Sequence, residues 1–292
     1  MKSTDRNDLL RKIRKIEIKA SRLTRNIFSG AYRSAFKGRG MSFSEVREYR
    51  IGDDLRDIDW NVTARYARPY VKVYEEEREL TVLLLVDVSK SEIFGTRLRT
   101  KRQLIAEIAG TLAFSTITNN DLVGVIFYSN RVEKFVPPGK GRKHVLHILD
   151  EILTLEAEEP GTDLSEALIF ANNVQKKNAT IFILSDFIDE SEYDRALSIV
   201  RLRHDVMAMQ VTDPHEAVLP RVGLLTVRDA ETGKILILDS SSERVRSAYR
   251  SYRDRSTERF REIFRKHDVR FATASTDGDY VPVLQNLFTR RS

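Results

Sequence analysis

Three apolar runs constrain this chain more than any other feature: LTVLLLVD (80–87), ATIFILSD (179–186) and HDVMAMQVT (204–212) are short and almost unbroken. A strand with one face in water alternates apolar and polar residues, so unbroken runs imply burial on both faces, the condition of a mainly parallel sheet covered by helices. The intervening segments fit that picture. Helices are expected near 97–118, 142–154, 163–177 and 191–203, with further strands at DLVGVIFYS (121–129) and RVEKFVPP (131–138). GLLTVRDAETGKILILD (223–239) reads as a hairpin turning at Glu231, Thr232 and Gly233. It is followed by an arginine-rich helix near 242–267, a strand VRFATAS (269–275) and a last helix. The expected class is α/β.

Ligand sites in such sheets gather beyond the carboxyl ends of the strands. Three groups of oxygen donors fall there: Asp87, Ser89 and Ser91 in DVSKS, Thr162 in PGTDLSEAL, and Asp186 at the end of ATIFILSD. Singly, each is an ordinary cap or turn residue. As a set, hydroxyls and carboxylates suit a hard cation such as magnesium, with manganese as the alternative. The chain has no cysteine, which excludes disulfides, thiolate metal sites and a cysteine nucleophile.

In order and strand context the set resembles the metal-ion-dependent adhesion site of von Willebrand factor A domains, where DxSxS, a distant threonine and a later aspartate converge on one cation. The resemblance implies a von Willebrand factor A-like fold over 80–292. It also implies serines and threonine in contact with the metal, aspartates acting through water, and one position left for an acidic group of a partner. Glu92 departs from the pattern, standing where an apolar residue is common, so it would either repel an incoming carboxylate or face solvent. Glu92 and Asp163 are expected at the partner-binding edge. The preceding stretch SFSEVREYRIGDDLRDIDWNVTAR (42–65) resembles the bacterial family known as domain of unknown function 58. Members are often encoded beside MoxR-type AAA+ ATPases, which implies an adaptor or co-chaperone with no catalytic turnover.

Charge is unevenly distributed. Residues 1–40 hold twelve Lys or Arg against three Asp or Glu, a net of +9 that leaves −3 on the remainder of a +6 chain. Leu9, Ile13, Ile16, Ala20, Leu23 and Ile27 form one stripe of a basic helix, expected to dock on the chain's own body rather than on a partner or an anionic membrane. Concentrated on one helix, the excess does not make nucleic acid an expected partner. No apolar run approaches the roughly 20 residues that cross a bilayer, so a cytoplasmic location is expected.

Segment 41–79 is read as short extended stretches with a turn at Gly52, packed on the body, with Trp60 as a packing anchor. Asp53, Asp54, Asp57 and Asp59 there lack the pattern of a calcium loop and suit capping or pairing with Arg50, Arg56 or Arg65. PPGKGRKH (137–144) reads as a solvated turn, and His144 and His147 as packing and surface residues. In the arginine-rich helix, Val245, Tyr249, Tyr252, Ile263 and Phe264 are expected to form much of a buried face. Two other function classes fit parts of the sequence. A magnesium-dependent phosphoryl-transfer enzyme would use Asp87 as nucleophile, but Ser89 stands where such sites place a second aspartate. Nucleic-acid binding would rest on the basic N-terminus alone.

Overall fold

The computed structural model describes residues 3–24, 41–76, 79–93, 99–158, 160–189, 191–228 and 235–289. At its centre is a six-stranded sheet of β3 (Thr81–Asp87), β4 (Leu122–Tyr128), β5 (Val132–Gly139), β6 (Thr180–Ser185), β7 (Asp205–Thr212) and β10 (Arg270–Ser275). Their spatial order is β10-β7-β6-β3-β4-β5, with β5 antiparallel at one edge and every other pairing parallel. The chain moves from β3 outward to β4 and β5, then returns to the far side of β3 with β6. The direction of winding therefore reverses between β3 and β6, and a crevice opens there at the carboxyl ends of the strands.

The unbroken runs divide by parity. Val82, Leu84 and Val86, with Phe182, Leu184, Met207 and Met209, enter one core beneath α3 (Lys101–Asn119), α4 (Arg142–Thr154) and α9 (Tyr280–Thr289). Leu83 and Leu85, with Ile181, Ile183, Val206 and Ala208, enter the other beneath α5 (Leu164–Val174), α6 (Asp194–Arg203) and α8 (Glu243–Lys266). Successive side chains on a strand face opposite sides, so a sheet with helices on both faces requires apolar residues at every position.

Helix α1 (Ser3–Leu23) docks on the first of these cores through Ile13, Ile16 and Ala20. The approach to α3 is close: a Cβ at Gly110 would lie 2.7 Å from Ile16 Cγ2, so only glycine admits this packing. Lys19 Nζ reaches Glu107 at 2.7 Å. The expected self-docking is thus found over this span, while Ile27 lies outside the described residues. In α8 the buried positions are Phe260 and Phe264, and Phe187 stacks on Phe260 at 4.2 Å between ring centroids. Tyr252, expected on that face, is exposed. The late hairpin is present as β8 (Leu224–Arg228) paired with β9 (Ile235–Asp239), and its turn at 231–233 lies outside the described residues.

Residues 41–76 hold a separate two-stranded sheet. β1 (Met41–Glu48) pairs antiparallel with β2 (Tyr70–Glu76), and between them stand a 3-10 turn (Leu55–Asp57) and a helix the sequence did not announce, α2 (Trp60–Tyr66). Asp54 and Asp59 cap these two elements, as their positions suggested. Asp54 pairs with Arg56 at 3.6 Å, as expected, whereas Asp53 takes Arg47 in a two-bond pair at 2.7 and 2.8 Å, and Arg47 holds its carboxyl down at about 2. Trp60 is 70% exposed, so the packing anchor is not borne out. As the first residue of α2 it follows the capped end, and its ring projects to solvent.

Candidate metal centre

Asp87 ends β3 and Ser185 ends the neighbouring β6, one step beyond the paired residues Val86 and Leu184. That register lets Ser185 Oγ donate to Asp87 Oδ2 at 2.7 Å, while Ser89 N donates to Asp87 Oδ1 at 2.8 Å. The second bond turns the chain sharply out of the strand and into a 3-10 turn, Lys90–Ile93. Ser89 Oγ and Ser91 Oγ thereby come to 3.0 Å of each other. Two adjacent oxygens of an octahedral magnesium shell, each about 2.1 Å from the ion, are themselves about 3.0 Å apart.

Asp186 lies on the other side of the crevice. Its Oδ1 accepts from Ile188 N at 3.0 Å and its Oδ2 from Lys101 Nζ at 2.7 Å. Glu92 reaches across to accept from Asp186 N through Oε1 at 3.0 Å, and its Oε2 is buried with no hydrogen-bond partner. A buried unsatisfied acceptor costs about 1–3 kcal/mol, more when charged. Oxygens of Asp87, Glu92 and Asp186 all lie within 4.8 Å of one another, and all three residues are buried. Three points so spaced share a centre no more than about 2.8 Å from each, close to the 2.0–2.6 Å range of magnesium and calcium ligands. This buried acidic triad is a group able to hold a metal ion.

Two cations answer the carboxylates. Lys101, 0% exposed, sits in the first turn of α3 with Nζ 2.7 Å from Asp186 and 2.9 Å from Glu216 of α7 (Pro214–Ala217). Arg102 beside it donates to Val88 O and Leu155 O, bracing the loop after β3. A positive charge in a helix's first turn opposes the helix dipole, so the acidic groups must outweigh that cost here. Burial pulls the Lys101 ammonium towards neutrality, but Asp186, Glu92 and Glu216 reverse this and hold it charged.

The carboxylates separate accordingly. Burial, then the charge of Asp186, pushes Asp87 up to about 6. Burial and the same neighbour also raise Glu92 well above its ordinary value. Asp186 is also opposed by burial, but Lys101 beside it brings its carboxyl below the ordinary value.

Of the residues singled out in the sequence, Asp87, Ser89, Ser91 and Asp186 are therefore gathered in one crevice. Thr162 follows Gly161, whose φ of +107° sets the turn, and its loop is tied to the end of β4 by Asp163 N donating to Ser129 O at 2.8 Å. Asp163 caps α5, with Oδ1 accepting from Ser165 N and Glu166 N, which fixes it as a helix cap. Glu92 neither faces solvent nor stands at an outer edge: at 0% exposure it is part of the interior of the site. Lys101, Glu216 and Ser185 were missed. A lysine at the first position of a helix whose next turns are mostly apolar (LIAEIAGTLAF, 104–114) was the one available signal.

His144 Nε2 lies 2.7 Å from Val123 O, and His147 is a surface residue near Glu151, which agrees with packing and surface roles. Of PPGKGRKH, 137–139 close β5 and 142–144 open α4, so only Lys140 and Gly141 form the turn; Lys140 pairs with Glu79 and Arg142 with Glu17. Among the described residues no helix is long and apolar enough to cross a membrane.

Several known proteins are similar to this chain. "Uncharacterized protein Mb1516" of Mycobacterium bovis is 31% identical over 225 residues, covering 76% of this chain and 71% of its own. A protein of Mycobacterium avium, MAV169, is 32% identical over 100 residues, covering 34% of this chain and 59% of its own. Among solved structures, conserved hypothetical protein BatB from Bacteroides thetaiotaomicron aligns with a TM-score of 0.44 at 14% identity, covering 72% of this chain and 97% of its own. The SpRpn10 VWA domain aligns at 0.39 and 10% identity, covering 72% and 93%. The central sheet is mainly parallel with one antiparallel edge strand and carries helices on both faces, the α/β class expected from the sequence. The family model described as "Protein of unknown function DUF58" matches residues 45–259, from β1 to within α8, and the chain belongs to that family.

Proposed function

We propose that this chain is a divalent-cation-dependent protein-interaction module, without catalytic turnover, that serves a MoxR-type AAA+ ATPase as adaptor or co-chaperone in the cytoplasm. The interaction role follows from a von Willebrand factor A-like fold in a DUF58 member. The observation that carries the cation is the pair of serine hydroxyls 3.0 Å apart beside three buried carboxylates. Magnesium, or manganese in its place, would be held by Ser89, Ser91 and Thr162, with Asp87 and Asp186 oriented around it. When bound, the ion supplies a Lewis-acidic position for an acidic side chain of the partner.

The chain's own part is positional. Ser185 and Ser89 N fix the Asp87 carboxylate, Ile188 N and Lys101 fix that of Asp186, and Arg102 steadies the loop that carries both serines. The test is capture of the purified MoxR-type ATPase from the same organism at fixed magnesium. Wild type is expected to bind it and Asp87→Ala to lose most of that binding while keeping a wild-type circular dichroism spectrum. Equal capture by both would refute a cation-dependent mode, and no capture by wild type would refute the partner.

A further inference from the structure

Glu92 belongs to the buried acidic triad but has no part in the ligand set proposed above. It follows Ser91 directly, and the 3-10 turn points it inward, where it is fully buried. One of its oxygens is anchored by Asp186 N, which fixes the carboxylate across the crevice between the β3 and β6 loops. The other has no hydrogen-bond partner, although it is buried. The carboxylate lies within 4.8 Å of those of Asp87 and Asp186. A carboxyl group held this way, with an acceptor free among buried oxygens, has the chemistry of a cation ligand whose ion supplies the missing contact. The ammonium of Lys101 does not fill that role, since its short contacts go to Asp186 and Glu216.

We infer that Glu92 is the chain's own carboxylate ligand for the divalent cation, occupying from within the position that an acidic group of a partner would otherwise take. The inference rests on the cation reading proposed above and adds regulation to it. The loaded site is closed, its charge met internally, and capture of an acidic partner requires Glu92 to give way. Relatives of the fold that carry an apolar residue at this point would lack such an internal competitor.

The test uses the full chain, stripped of metal, with manganese as the probe. Wild type, Glu92→Gln, Glu92→Ala and Asp87→Ala are titrated calorimetrically, and water-proton relaxation counts the waters on the bound ion. Glu92→Gln keeps the volume and the acceptor for Asp186 N, so it should fold and bind manganese at least tenfold more weakly than wild type. Glu92→Ala should bind weakly as well and show one more bound water, which acetate displaces in the variant and not in wild type. A purely structural Glu92 would leave affinity and water count unchanged in Glu92→Gln, and that result overturns the inference while wild-type binding and its loss in Asp87→Ala keep the cation reading. No manganese binding by wild type overturns both.

Discussion

Replacing Lys101 with methionine isolates the electrostatic logic of the site. The side chain is fully buried, and its ammonium lies 2.7 Å from Asp186 and 2.9 Å from Glu216. Methionine is close in length and apolar, so the substitution removes the charge and little volume. It leaves Asp186 without its cation beside Glu92, while Glu216 keeps Arg253 at 3.3 Å, and breaking a buried pair from one side costs about 3–5 kcal/mol. For a domain of this size each kcal/mol moves the melting temperature by about 2–4 °C, so metal-free Lys101→Met should melt about 6–20 °C below wild type.

Magnesium should then distinguish the two proteins. In wild type the ion meets an acidic site already partly neutralised by Lys101, whereas in the variant it supplies charge that is lacking. At a hundred times the dissociation constant, binding contributes about 2.7 kcal/mol, so the variant should regain much of its deficit. Differential scanning fluorimetry in chelator and in a magnesium series measures both effects. A variant that melts with wild type in chelator, or that shows no larger magnesium shift, would refute the claim that Lys101 is a tethered counter-charge of this cation site.

Two further outcomes follow from particular residues. Asp87 is raised to about 6 from an unfolded value near 3.9, so between those limits the native state holds a proton that the unfolded chain has released. Metal-free stability from Asp87 should therefore fall by up to about 3 kcal/mol as pH rises from 4 to 6, with Glu92 acting in the same sense. Asp186, lowered, contributes stability above its unfolded value that is lost on acidification, and the magnesium-induced shift should grow as pH rises past 6. Denaturant melts at stepped pH with and without magnesium check the sign. Trp60→Ala, at a 70% exposed site, should change the unfolding free energy by less than about 0.5 kcal/mol, and a loss above about 2 kcal/mol would show that the ring is packed in solution.

The sheet was legible because its strands are buried on both faces: a parallel core leaves no polar residue inside VLLLV (82–86) or IFIL (181–184), and the pattern locates strand ends to within a residue or two. Asp87, Ser89, Ser91 and Asp186 were legible for the same reason, since a strand end is where a polar residue can face a crevice. Lys101 and Glu216 were not, because their contact joins positions 115 residues apart through a short helix, α7, that has no periodicity to read. Of the two alternatives for Glu92, the solvent-facing one fails, because a glutamate after a loop serine ordinarily meets water and only the inward turn of Lys90–Ile93 reverses that. Trp60 failed for a different reason. Whether a large aromatic is buried depends on what docks over it, and local pattern carries no information about that.

A cation-dependent interaction requires that the crevice between β3 and β6 take a divalent cation. Isothermal titration of magnesium into the metal-stripped chain at pH 7.5 measures this most directly. One ion per chain is expected, with proton release that increases as the starting pH is lowered towards 6 and with binding abolished in Asp87→Ala. Absence of binding at millimolar magnesium in the wild-type protein would contradict it.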